Sequence, residues 1–304
     1  MASLLAPSRD RGHQVRKAME PKLSYISQVK HPAQKAVVNS IELLSGRQRL
    51  EDIYEEVLRR VDAQESFWRA ALEELQVQLV YDPDRLAAVP QQGPLIFIAN
   101  HPYGVLDGLA LCHFASLCRQ EFRILVSSAL CREDRLTSYL LPIDFDDSEQ
   151  AVRTNIESRQ RAVETLRRGG ALVIFPAGGI STSLGPFGAV TDLEWKLFTA
   201  KLVHLTQATV VPLYFYGQNS RLFQIVSHIS LTLRLSLIIH EVHKQMTSTL
   251  RVAIGDPIPY EQLAAFKSRQ ALTDHLRRVV YSLGHQAESC SRGPMPASKL
   301  SARY

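Results

Sequence analysis

Three apolar stripes at helical spacing open the patterned part of the chain. In "HPAQKAVVNSIELLSG" Ala33, Val37, Val38, Ile41 and Leu44 share one side, with Pro32 near the start and Gly46 as the stop. "RLEDIYEEVLRRV" repeats the pattern with Leu50, Ile53, Tyr54, Val57, Leu58 and Val61, and "SFWRAALEEL" with Phe67, Trp68, Ala71, Leu72 and Leu75. These segments predict a helical preface over residues 26–76. Packing on the core is the ordinary fate of such stripes; contact with a lipid surface is the alternative. After Leu75 short apolar runs alternate with helical patterns. "LIFIA", "FRILV", "ALVIF", "VVPLYFY" and "LRVAIG" read as strands, and residues 105–119, 150–168, 192–207 and 260–283 as helices. That order predicts an α/β domain over residues 77–285, a mostly parallel sheet flanked by helices. Ligands gather at the carboxyl ends of strands in such sheets. His101 stands at one such end and "FPAGGIS" at another.

Composition adjusts this picture only slightly. The 304 residues are 45% hydrophobic and 21% charged, enough for one substantial core. Residues 1–25, polar and basic, read as a flexible arm, and 286–304 as a flexible tail. The longest apolar runs, such as "GPLIFIAN" and "LSLII", fall far short of the roughly 20 residues that cross a bilayer, so no transmembrane helix is expected. "MASLLAPSRDRGHQ" turns polar almost at once, which speaks against an export signal. Cys112, Cys118, Cys131 and Cys290 form no CxxC pair and suit a reducing compartment. Cys112, His113, Cys118 and Cys131 match no common zinc spacing, so no metal is expected. A net charge of +5 and a pI near 9.0 raise the question of an anionic partner. Without an RNA-binding aromatic pattern or zinc-finger spacing, a membrane surface is the expected partner rather than nucleic acid, beside the plainer reading of a solvated basic face.

The chemistry concentrates in "IFIANHPYGVLDGLALC", residues 96–112. Pro102 keeps His101 extended at the mouth of its strand, and Gly104 allows a tight reversal. On a continuous helix His101 and Asp107 would point apart, so they meet only across a turn. Asp107 then falls in the first turn of the following helix, where the dipole favours a carboxylate. Such a carboxylate can hold an imidazole by its second ring nitrogen. The second motif, "ALVIFPAGGIS", is a buried strand stopped by Pro176. Its glycines, Gly178 and Gly179, let backbone N–H groups approach an anion, and Ser181 adds a hydroxyl. The motif lacks the lysine of a Walker loop and the last glycine of a G-x-S-x-G elbow.

"NHPYGVLDG", followed by "FPAGGIS" and then "VVPLYFYGQNS", resembles the glycerolipid acyltransferases of the PlsC-like superfamily. "LLSGRQRLEDIYEEV", "LPIDFDDSEQAVRTNIES" and "GQNSRLFQ" look like its hemolysin or lyso-ornithine-lipid acyltransferase branch, so that the resemblance covers roughly residues 40–260. It implies an α/β fold and O-acyl transfer from acyl carrier protein or coenzyme A to a lysolipid hydroxyl. These thioesters are co-substrates, and no cofactor is implied. His101 would be the general base and Asp107 its orienting partner. Substrate would lie against Asn100, Gly104, Phe175, Pro176, Gly178, Gly179 and Ser181. The protein would work in the cytoplasm, peripherally on the inner face of the membrane.

This chain departs from the best-known superfamily members in the third block: those carry an acidic residue and usually an arginine in F-P-E-G-T-R-S, whereas here Ala177 and Gly179 fill the corresponding part of the turn and the arginine is missing. Arg153 is a candidate for the missing charge, with an exposed helical arginine as the plainer reading. His204, His228, His240 and His243 have no carboxylate at telling spacing. A noncatalytic lipid- or acyl-carrier-binding protein is the alternative function, disfavoured because binding alone needs no base. A membrane-damaging role lacks an amphipathic pore segment.

Overall fold

The computed structural model describes residues 39–290, apart from 41, 43, 44, 132, 186, 187 and 230. The expected basic arm, most of the helix beginning at Pro32 and the chain beyond Cys290 lie outside the described residues. In chain order the main elements are α1 (Arg47–Asp62), α2 (Phe67–Glu74), β1 (Gln78–Val80), α3 (Pro83–Ala87), β2 (Leu95–Ala99), α4 (Val105–Cys118), β3 (Phe122–Ser127) and β4 (Leu140–Ile143). There follow α5 (Glu149–Arg167), β5 (Ala171–Ile174), β6 (Thr182–Ser183), β7 (Val190–Thr191), α6 (Phe198–Thr206), β8 (Thr209–Phe215), α7 (Arg221–Ser227), α8 (Leu231–Lys244), β9 (Thr249–Ile254), α9 (Tyr260–Leu263) and α10 (Arg269–Cys290).

Seven strands form one sheet in the order β1-β9-β8-β2-β5-β3-β4, and β6 and β7 form a separate hairpin. The five strands from β8 to β4 are mutually parallel, whereas β9 runs antiparallel to β8 and carries β1 with it. The sheet is therefore α/β and mostly parallel, as the alternating pattern predicts. Strand β2 is central and wholly buried. Leu95, Phe97 and Ala99 face a core shared with α1, α2, α4 and α8, and Ile96 and Ile98 face the core beneath α5, α6 and α10. A strand buried on both faces reads as an unbroken apolar run, which is why "LIFIA" shows no alternation.

The preface helices pack inward. Leu50, Val57, Leu58, Trp68 and Leu72 are buried, and the Trp68 ring meets Phe122 and Tyr139. Gly46 does adopt a left-handed conformation, φ 84°, and a side chain there would collide with the His243 ring. Pro212 within β8 costs no ladder bond to β2. Its carbonyl points toward β9, accepting from Gly255 N at 2.9 Å, so its missing N–H lies on that side, between the Val210–Ile258 bridge and the Leu213–Ile254 pair.

Several expectations shift. The helix expected over 192–207 begins at Phe198, because Asp192 N bonds Tyr281 Oη and Lys196 N bonds Pro176 O. The pattern over 260–283 resolves into α9 and α10, and α10 runs on to Cys290. The apolar pattern does not predict strands β1, β4, β6 and β7 or helices α3, α7 and α8.

Helix α4 carries a buried histidine that plays no part in the turn before it. Burial, helped by the Arg69 charge, lowers His113 from its ordinary 6.5 to about 4, with Glu73 opposing weakly. The unfolded chain takes up this proton below about 6.5 and the folded chain only near 4, so the group's contribution is intact above 6.5 and lost as the pH falls toward 4. The loss is on the order of 3 kcal/mol at most. Denaturant titrations between pH 4 and 7 should show the acid-side slope flattened in His113→Gln; an unchanged slope would remove His113 as its source.

Candidate active site

The site forms where β2 leaves the sheet. Asn100 is buried and closes both hydrogen bonds of the Phe215 backbone, donating from Nδ2 to the carbonyl at 2.9 Å and accepting from its N–H at 2.7 Å. Its side chain thus continues the β2–β8 ladder by one step. Asn100, expected against substrate, is instead part of the frame. The next residue, His101, is held by its own backbone. Its N–H donates to Asp192 Oδ1 at 3.1 Å and its carbonyl accepts from Ser181 N at 2.8 Å. Ser181, expected as a donor to a bound anion, instead gives its buried hydroxyl to Asp192 Oδ1 at 2.5 Å.

Asp107 lies in the first turn of α4, completely buried. A buried carboxylate needs donors. Oδ2 accepts from Tyr103 N and Oδ1 from Gly108 N, both at 2.9 Å. The positive end of the helix dipole adds to this. His101 Nδ1 approaches Oδ1 at 3.1 Å, within hydrogen-bond reach but off the line of a well-aligned bond. Such bonds are often loose without substrate and tighten with it. The imidazole lies flat on Phe175, ring centroids 3.8 Å apart and planes 23° apart. Nδ1 faces the carboxylate and Phe175 blocks one face, so Nε2 is the nitrogen left for substrate. The His101 side chain is 16% exposed, enough for one edge to be reached.

Gly104 makes this turn. Its φ of 89° belongs to the region few other residues enter, and a Cβ there would stand 2.6 Å from Ile180 Cδ1. The Ile180 contact joins the two motifs. In the second, Gly178 N bonds Phe175 O at 2.9 Å in a turn that needs φ 68° at Gly178, and the buried Pro176 gives its carbonyl to Lys196 N. A Cβ at Gly178 would meet nothing within 4 Å, and one at Gly179 only Leu193 at 3.8 Å, so the glycine turn opens onto free space.

Arg153 is not brought to this place. It lies exposed in α5 after the edge strand β4, three strands from β2, and pairs with Glu149 at 3.6 Å. The residue sequence reasoning missed is Asp192. It is buried, receives His101 N, Ser181 Oγ and Trp195 Nε1, and donates its own N–H to Tyr281 Oη. No pattern around "VTDLEW" signals this, because its partners lie far away in sequence. Among the described residues the thiols offer no rival nucleophile: burial pushes Cys118 and Cys131 up to about 11 and Cys112 well up. Among the described residues no group of three or more metal-ligating side chains gathers.

The family model described as acyltransferase matches residues 53–289. A lyso-glycine lipid O-acyltransferase of Phocaeicola vulgatus is 31% identical over 209 residues, 65% of this chain and 71% of that protein. A second protein of that name, from Bacteroides thetaiotaomicron, is 26% identical over 208 residues, 64% of this chain and 72% of its own length. Among solved structures, that of the 1-acyl-sn-glycerophosphate acyltransferase PlsC from Thermotoga maritima matches with a TM-score of 0.48 at 16% identity, covering 84% of this chain and 98% of that one.

The tightness of the turn gives a direct test. Gly104→Ala should lose stability by about 1–3 kcal/mol, from the unfavourable φ and the Ile180 clash, and turnover should fall at least tenfold. Gly108→Ala, helical and with no atom within 4 Å of the new Cβ, should gain up to about 1 kcal/mol. Thermal denaturation of both variants reads this; equal stability of the two would show that Gly104 is dispensable.

Proposed function

The chain belongs to the acyltransferase family, and we propose from that premise that it transfers a fatty acyl group from a thioester onto the hydroxyl of an amino-acid lysolipid, with His101 as general base. The observation carrying this is the single imidazole at the end of the central strand, backed through Nδ1 by the buried Asp107. Neutral imidazole accepts a proton near neutral pH, and a carboxylate on its other nitrogen fixes the tautomer and steadies the imidazolium. In the reaction Nε2 removes the hydroxyl proton as the oxygen attacks the thioester carbonyl. The carbon–sulfur bond then breaks, and the imidazolium returns the proton to the departing thiolate of acyl carrier protein or coenzyme A. No enzyme nucleophile is needed. Backbone N–H groups at the start of α4, which a helix leaves without internal partners, are the candidates for stabilising the oxyanion.

The acceptor reading rests on charge. The glycine motif itself carries no charged residue, so the nearly two charges of a phosphomonoester would call for more than one cation from outside it. The two carboxylates touching the His101 turn, Asp107 and Asp192, are both committed to protein donors. Neither is left to receive the second amine of an ornithine headgroup, so a glycine lysolipid suits the site better than the lyso-ornithine lipid of the resembling branch. The names of the Phocaeicola and Bacteroides relatives point the same way.

Among the described residues no helix is long and apolar enough to cross a membrane. A bilayer-borne acceptor calls for peripheral attachment, on this reading at the inner face of the cytoplasmic membrane. The net charge of +5 and the exposed Leu184, Leu222 and Ile229, just past the glycine turn and around α7, support it.

His101→Ala should fold normally and lose acyl transfer by on the order of a hundredfold or more; near-normal turnover would remove the base assignment. Asp107→Asn should lower turnover and move its pH profile, and an unmoved profile would count against the pairing. Offered lyso-glycine lipid, lyso-ornithine lipid and lysophosphatidate with each thioester donor, the enzyme should show the highest kcat/KM for the glycine lipid. Preference for lysophosphatidate would reject the acceptor while leaving the His101 chemistry standing.

A further inference from the structure

Helix α8 brings a cation to the glycine turn. Arg234 Nη2 donates to the Ile180 carbonyl at 2.8 Å, and the guanidinium carbon lies 5.5 Å from the centre of the Phe223 ring. The side chain is partly buried, and burial lowers it from the usual arginine range. Buried cations are ordinarily paired with carboxylates. Arg47 pairs with Glu42, and Arg60 with Glu65, Glu73 and Glu74. Among the described residues no carboxylate pairs with Arg234. A guanidinium has five N–H donors in a planar fork, and one hydrogen bond and one ring contact leave most of them unspent.

Its position matters more than its charge. The Ile180–Ser181 peptide accepts Arg234 at its carbonyl and, through Ser181 N, donates to the His101 carbonyl at 2.8 Å. The cation and the proposed base therefore grip opposite edges of a single peptide unit. Two ordinary hydrogen bonds and one peptide width put Nη2 within about 8 Å of the His101 carbonyl. Immediately before that peptide in the chain, Gly178 and Gly179 leave the turn open.

We propose that Arg234 is the headgroup anchor of the acceptor site, its free N–H donors receiving the carboxylate of an amino-acid lysolipid and so holding the acceptor hydroxyl before His101. The proposal rests on the lysolipid reading above and deepens it: an amino acid acylated on nitrogen keeps its carboxylate, and a fork of N–H donors matches that group. It also explains how a turn without arginine serves an anionic acceptor, since the charge arrives from a helix that follows in the chain rather than from the motif.

The test compares a glycine lysolipid with its neutral carboxamide in wild type, Arg234→Lys and Arg234→Gln, with lysophosphatidate as a third acceptor. Wild type should favour the acid over the amide by about tenfold or more in kcat/KM. Arg234→Gln should abolish that preference by raising KM for the acid far more than for the amide, and Arg234→Lys should keep part of it. The acid-to-amide ratio is internal to each preparation, so it is unaffected by any fraction lost to misfolding. Equal loss on acid and amide, or no preference in wild type, would overturn the anchor. A larger loss on lysophosphatidate than on the glycine lipid would overturn the carboxylate assignment. Wild type inactive on every lysolipid would instead overturn the acyltransfer reading itself.

Discussion

A parallel strand buried on both faces must still satisfy its backbone where it leaves the sheet. At the end of β2 that requirement organises everything around it. Asn100 substitutes its amide for a further ladder step, Asp192 and the Ile180–Ser181 peptide take the N–H and carbonyl of His101, and Asp107 takes Tyr103 N–H. The imidazole has little freedom because the chain beneath it is pinned atom by atom. Precision in the side chain is inherited from hydrogen-bonding need in the main chain.

The two carboxylates divide the work. Asp107 arrives with helix α4, within the same short stretch as the histidine, and lies behind its ring. Asp192 comes from well beyond the glycine turn and grips the backbone, the Ser181 hydroxyl and the Trp195 indole. Both are buried among donors. The turn at Gly178 and Gly179, by contrast, is open: added side chains there would meet at most Leu193.

How much of this is legible in the chain follows from contact range. The strands flanking and including β2, their helices and the meeting of His101 with Asp107 are local, set by apolar runs, Pro102 and Gly104. What sequence reasoning missed is short or remote. Strands β1 and β4, three and four residues long, carry too little pattern to stand out. The reversed direction of β9 depends on how its neighbours dock, which no periodicity encodes. Asn100, Asp192 and Arg234 owe their roles to partners far along the chain, and Ser181 offered a hydroxyl that Asp192 had already taken. Residue type suggested chemistry at the second motif; burial decided which atoms were free to perform it.

The two outermost strands of the sheet, β1 and β4, are also among its shortest, and β4 carries Pro142. A sheet edge is a row of unpaired backbone groups that can recruit a second chain. A three-residue edge on one side, and an edge interrupted by proline on the other, offer little template for that joining. These blunt margins guard the chain against knitting with a second copy into continuous β-structure.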